Sequence, residues 1–153
     1  MLAIFAIAPP ALGVFTASRA AARPAPPPSV DDSDPLPPGS QPVPMRLGQF
    51  MNRSFDTQTG GPATLAGRRL QLTGFATSTR NGTWYLNRLQ ISCCAADAIT
   101  LQIIILGTPA PPTGTWVTVT GTWQPAGTPH SDAVFHLKAD TVTPTTKPAH
   151  PYE

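Results

Sequence analysis

The spacing of hydrophobic and polar residues changes twice along this chain. Met1–Ala17 (MLAIFAIAPPALGVFTA) carries no charged side chain, and Ala20–Pro44 shows no period at all. Met45–Phe55 (MRLGQFMNRSF) then sets Leu47, Phe50, Met51 and Phe55 at i, i+3, i+4 and i+8. That stripe predicts a short amphipathic helix that covers the end of a barrel, with Gly48 costing it about 1 kcal/mol relative to alanine. Gly60-Gly61-Pro62 breaks it.

Beyond the break the period is two. Gly67–Phe75 places Leu70 and Leu72 on one face and Arg69, Gln71 and Thr73 on the other. Asn81-Gly82 predicts a tight hairpin with positive φ at both central residues. It leads into Trp84–Cys93, where Tyr85, Asn87, Leu89, Ile91 and Cys93 share a face opposite Leu86, Arg88, Gln90 and Ser92. Ile99–Leu106 is apolar on nearly both faces, hence central or covered. Thr115–Trp123 points Val117 and Val119 inward and bends at Gly121. Ala133–Val142 points Phe135, Leu137 and Ala139 inward, and Pro144 stops it.

Five such strands predict a mainly β fold, a small five-stranded OB-like, partly open barrel with one short N-terminal helix. A six-stranded or sandwich-like variant is the alternative. The Gly107–Gly114 connection has no room for the helix an OB barrel carries between its third and fourth strands, so the helix at 45–55 precedes the first strand instead.

Composition sets the domain plan. Of 20 prolines, 11 precede Met45, which reads as a semi-rigid spacer. The expected organisation is an apolar membrane-helix remnant or anchor at 1–18, a Pro-rich linker at 19–44 and the OB-like domain at 45–153. The apolar stretch is short for a span of about 20 residues, and Pro9-Pro10 interrupts a helix. A signal peptide or a plain apolar tail are the other readings, the first without a basic n-region. Charged residues make up 12% and the net charge is +2, too little to argue for nucleic acid or an acidic partner.

Candidate chemistry centres on Cys93 and Cys94, the two cysteines. With Asp97 they form an incomplete ligand set for zinc or another divalent metal, which His130, His136 or His150 would complete. The spacing is not C-x-x-C, and the structural reading, Cys93 as a small buried hydrophobe, outweighs it. An exposed Cys94 near Arg88 would instead be a reactive thiol. Arg88 and Asp97 flank the turn and are expected to pin it as an ion pair. Trp84, Tyr85, Trp116 and Trp123 resemble a base-stacking platform, but the basic groove is limited to Arg68, Arg69, Arg80 and Arg88, so no nucleic acid is expected. No Gly-rich phosphate loop, Ser/His/Asp arrangement or paired-carboxylate site is visible, so no enzyme is expected.

The segments LAGRRLQLTGFAT, WYLNRLQISCCAADA, TWVTVTGTW and the closing PYE resemble the C-terminal soluble domain of the YcgQ-like predicted permease subunits, bacterial membrane proteins. The resemblance spans about Pro42–Glu153, and ISCCAADA is its most specific part. Met1–Ala17 resembles the end of the family's last membrane helix, and the several earlier helices of family members are not seen here. The resemblance implies a non-catalytic accessory domain associated with the bacterial cell membrane and partnered by a predicted permease. It singles out Arg88, Cys93, Cys94 and Asp97 without giving them roles. A soluble or exported metal-binding domain using the Cys-Cys-Ala-Ala-Asp turn, and an OB-type nucleic-acid module, are the alternatives.

Overall fold

The computed structural model describes residues 13–14, 16–17, 35–93, 95–126 and 135–153. The elements are β1 (Val43–Pro44), α1 (Leu47–Gln58), β2 (Arg69–Ser78), β3 (Trp84–Gln90), β4 (Ile99–Leu106), β5 (Trp116–Gln124) and β6 (His136–Pro144). A single 3-10 turn, Ala95–Asp97, lies between β3 and β4.

The strands run β1-β2-β3-β4-β6-β5, and β5 also pairs with β2, which bends the sheet into a ring. The β2–β5 pairing is antiparallel from Arg69↔Thr122 to Phe75↔Trp116. The parallel β4–β6 seam is shorter, Ile104↔His136 to Leu106↔Lys138. Five mutually paired strands with one parallel seam define an OB-like barrel, and β1 is a sixth, two-residue strand added to its edge.

Alternation explains the interior. Leu70 and Leu72 of β2, Leu86 of β3, Leu101 of β4, Val117 and Val119 of β5 and Leu137 of β6 are fully buried. Each such side chain contributes roughly 1.5–3 kcal/mol relative to exposure. Leu47, Phe50 and Met51 of α1 join the same cluster and cover one end, as the helical stripe predicts.

Two glycines let the ring curve. A Cβ at Gly74 would fall 2.5 Å from the Asn87 carbonyl oxygen. At Gly121 it would collide with the Lys138 carbonyl, beside the register shift between Thr120 and Gly121. At Gly74 β2 is about to take β3 as a partner, and at Gly121 the irregularity in the β5–β6 ladder brings the Lys138 backbone close, so backbones approach where a side chain would stand.

The sequence expectations need correction at several points. Phe55 is 40% exposed, while Ser54 and Arg53 are buried in its place. At about 100° per residue, Ser54 falls in the arc from Phe50 to Met51, whereas Phe55 drifts about 80° from Leu47. The hairpin is a five-residue loop closed by Thr79 N–H to the Thr83 carbonyl at 2.8 Å, and its positive φ is confined to Gly82. The second strand stops at Gln90 rather than Cys93, because Asp97 turns back onto the next amides. Part of the Pro-rich stretch belongs to the barrel: Val43 and Pro44 pair with Leu70 and Gln71, and Leu36 packs against the core.

Candidate functional site

A cleft opens where β2 and β3 part. The two strands pair only from Phe75↔Asn87 to Ser78↔Trp84. On the same edge β2 takes β1 at Leu70 and Gln71, and β3 takes the segment around Tyr152 at Leu89. Glu153 N–H donates to the Leu89 carbonyl at 2.9 Å, and Ile91 N–H donates to the Glu153 carbonyl at 3.3 Å. The last residues therefore add an extended rung to β3.

That rung delivers the Glu153 carboxylate to the start of α1. Leu47 N–H donates to Oε1 and Gly48 N–H to Oε2, each at 2.8 Å. A carboxylate at this position satisfies amides without helical partners and meets the positive end of the helix dipole. The preceding residue, Arg46, has no short oxygen-bearing side chain to act as an N-cap.

Arg88 lies behind Glu153. Its Nε is 3.8 Å from Glu153 Oε1, its Nη2 donates to the His150 carbonyl at 3.0 Å, and its guanidinium carbon sits 5.4 Å from the Trp116 ring centroid. Burial lowers the Arg88 pKa from its ordinary value, and the Glu153 charge opposes that shift. A pocket of about 330 Å³ opens in front, lined by Pro44, Met45, Arg46, Gln49, Gln71, Thr73, Arg88 and Glu153.

The expected Arg88–Asp97 ion pair is replaced by Arg88–Glu153. Asp97 instead accepts from Ser92 N–H at 3.3 Å and Cys93 N–H at 2.7 Å, so it caps its own turn. Cys93 is exposed, contrary to the small buried hydrophobe expected. Cys94 and His130 lie outside the described residues. Among the described residues no three His, Cys, Asp or Glu side chains gather as a metal cluster. His150 meets Arg88 through its backbone, and His136 sits half-buried on β6.

The aromatic side chains do not form one platform. Trp84 is buried inside the barrel, with its Nε1–H donating to the Thr108 carbonyl at 3.0 Å. Trp123 donates to Ser54 Oγ at 2.7 Å, tying β5 to α1. Trp116 tilts against Phe75 at 5.6 Å, and Tyr85 is half-buried opposite Ile104.

Sequence reasoning missed two features. Glu153 as a helix cap left no local signal, because a capping residue is sought beside the helix. The second is a polar knot centred on Asn87, which is fully buried. Its Nδ2 lies 2.9 Å from the Phe75 carbonyl and 3.0 Å from Thr77 Oγ1, and its Oδ1 accepts from Gln102 at 2.7 Å. Gln102 also donates to the Ala17 carbonyl at 2.9 Å, and Ala17 is fully buried. Gly13 lies against Leu89 and Phe75, and Val14 against Gly114. Gly13 and Ala17 therefore lie on the outer face of β2, β3 and β4.

A five-strand OB-like ring with an end-capping helix and a polar cleft on one edge is thus the class of protein in hand. The chain belongs to the family of the DUF1980 C-terminal domain, whose model matches residues 52–153. Among solved structures it is similar to a chain of the crystal structure of the S. pombe Stn1–Ten1 complex. The two share 13% identity over 75% of this chain and 88% of that one, with a TM-score of 0.38. No curated protein matches the chain.

Proposed function

We propose that this chain is a non-catalytic accessory domain of a bacterial membrane transport system, tethered by its apolar N-terminal segment and working beside a permease. The observation that carries the reading is the uncharged apolar stretch Met1–Ala17. Ala17, at the end of the apolar stretch, is fully buried and meets Gln102 of β4, so a membrane that takes up the residues before it would lie near this face. The resemblance of the sequence to permease subunits points the same way. Among the described residues no helix is long and apolar enough to cross a membrane, so the tether rests on the apolar sequence at 1–18.

The same packing weakens the nucleic-acid alternative. OB modules take oligonucleotides on the face of their second and third strands, which here are β3 and β4 and carry Ala17 at Gln102. Trp84 and Trp123 are engaged within the fold.

Fractionation of bacterial cells expressing the full chain tests the tether. The wild-type chain is expected in the membrane pellet after a carbonate wash, and an Ile4→Asp/Ile7→Asp variant in the supernatant. A wild-type chain found wholly in the supernatant overturns the reading. Cross-linking in cells tests the partner: a conjugate with an integral membrane protein is expected, and only self-conjugates would count against a permease.

A further inference from the structure

The β2–β3 cleft sets two arginines, Arg46 and Arg88, beside the Glu153 side chain. Both Glu153 oxygens are already committed to the Leu47 and Gly48 amides, and the helix N-terminus offsets part of that carboxylate charge. Beside its Nη2 hydrogen bond to the His150 carbonyl, Arg88 meets Glu153 only at 3.8 Å, well beyond the roughly 2.7–2.9 Å of a charge-assisted hydrogen bond. Its side chain is 10% exposed, and its Nε is buried with no hydrogen-bond partner among the described residues. A buried donor left unmade is costly, and a water or an ion is one partner that meets it in native proteins.

Space and partners for such a ligand are present. The pocket of about 330 Å³ carries a second cation, Arg46, with Gln49, Gln71 and Thr73 around it. Its volume sits near the lower limit of about 300 Å³ for small-molecule sites. Thr73 Oγ1 lies 3.1 Å from Thr118 Oγ1. When Thr118 donates in that pair, the Thr73 proton is left to point elsewhere.

We propose that this cleft binds a small oxyanion, a compact molecule ending in a carboxylate or phosphate. Arg88 supplies charge from the pocket wall, Thr73 supplies a hydroxyl donor, and Arg46 supplies charge at the mouth. Glu153 sets one wall and holds Arg88 in place. The site goes beyond the accessory-domain reading and stands whether or not the chain meets a membrane.

The test is a titration of the isotope-labelled full chain with sodium acetate and, separately, with sodium phosphate, at constant ionic strength. Saturable amide shifts concentrated at Arg46, Gln49, Gln71 and Thr73 are expected with at least one of them. The tighter ligand identifies the headgroup as carboxylate or phosphate. Arg46→Gln and Thr73→Val are each expected to weaken that binding by about tenfold, or about 1.4 kcal/mol, while leaving the remaining spectrum folded. Arg46→Gln removes only a side chain at the mouth, so it keeps the test informative if Thr73→Val disturbs β2. Unsaturable shifts spread over the surface, or binding unchanged in both variants, would overturn the site.

Discussion

Glu153 meets Arg88 across 3.8 Å inside the β2–β3 cleft, with only 7% and 10% of the two side chains exposed. One carboxylate thereby serves the end of the chain, the start of α1 and the far end of β3. Removing it strips two amides of their acceptor and leaves a buried cation unpaired. Breaking a buried pair costs about 3–5 kcal/mol, and water reaching Arg88 through the pocket should reduce that. Glu153→Ala is therefore expected to lose about 2–4 kcal/mol in urea denaturation. Glu153→Gln, which keeps an acceptor but not the charge, should fall between it and wild type. Equal midpoints for wild type and Glu153→Ala would show that the cap contributes nothing.

Asn87 holds β2, β3 and β4 together from the outer side of the barrel. Asn87→Ala leaves the Gln102 amide without its 2.7 Å acceptor and should cost about 1–3 kcal/mol. Gln102→Ala should cost less, because Asn87 keeps its contacts to Phe75 and Thr77. A double-mutant cycle with no coupling between the two would dissolve the knot into independent contacts.

Gly74 and Gly121 stand where backbones nearly touch. Alanine at either should destabilise by roughly 1–3 kcal/mol, the cost of overpacking. Gly82→Ala offers a contrast: its Cβ meets open space, and only its φ of 86° opposes the change. Thermal melts of the three variants check this ordering, and a neutral Gly121→Ala would contradict the close approach to Lys138.

His136 gives the fold a pH dependence of defined sign. Burial lowers its pKa from the ordinary 6.5. The folded chain therefore binds this proton less readily than the unfolded one, so stability rises with pH through this interval. The contribution is complete above pH about 6.5 and is lost as pH falls from there towards the lower folded value. His136→Gln should flatten that part of the stability profile, and an unaltered slope between pH 5 and 7 would assign it to other groups.

The barrel interior was legible because alternation fixes it. Leu70 with Leu72, Val117 with Val119, and Phe135, Leu137 and Ala139 are all buried as the period requires, and Ile99–Leu106 has the bounds its apolar run indicates. β1 was not legible, since two residues ending in proline carry no period. The cleft escaped for a different reason. Charge pairing over long sequence separations has no periodic signature, so the nearer Asp97 was an equally reasonable partner for Arg88 until the segment around Tyr152 was seen to run beside Leu89. Trp123 followed the same logic: an aromatic side chain in a β-strand reads alike whether it stacks on a ligand or donates to Ser54.

Among the described residues the parallel β4–β6 seam, from Ile104↔His136 to Leu106↔Lys138, is the shortest join in a ring otherwise held by longer antiparallel ladders. A closed ring breathes where its shortest zipper lies. Amides along that join should exchange with solvent through local opening, ahead of those in the β2–β5 ladder, which should wait for global unfolding.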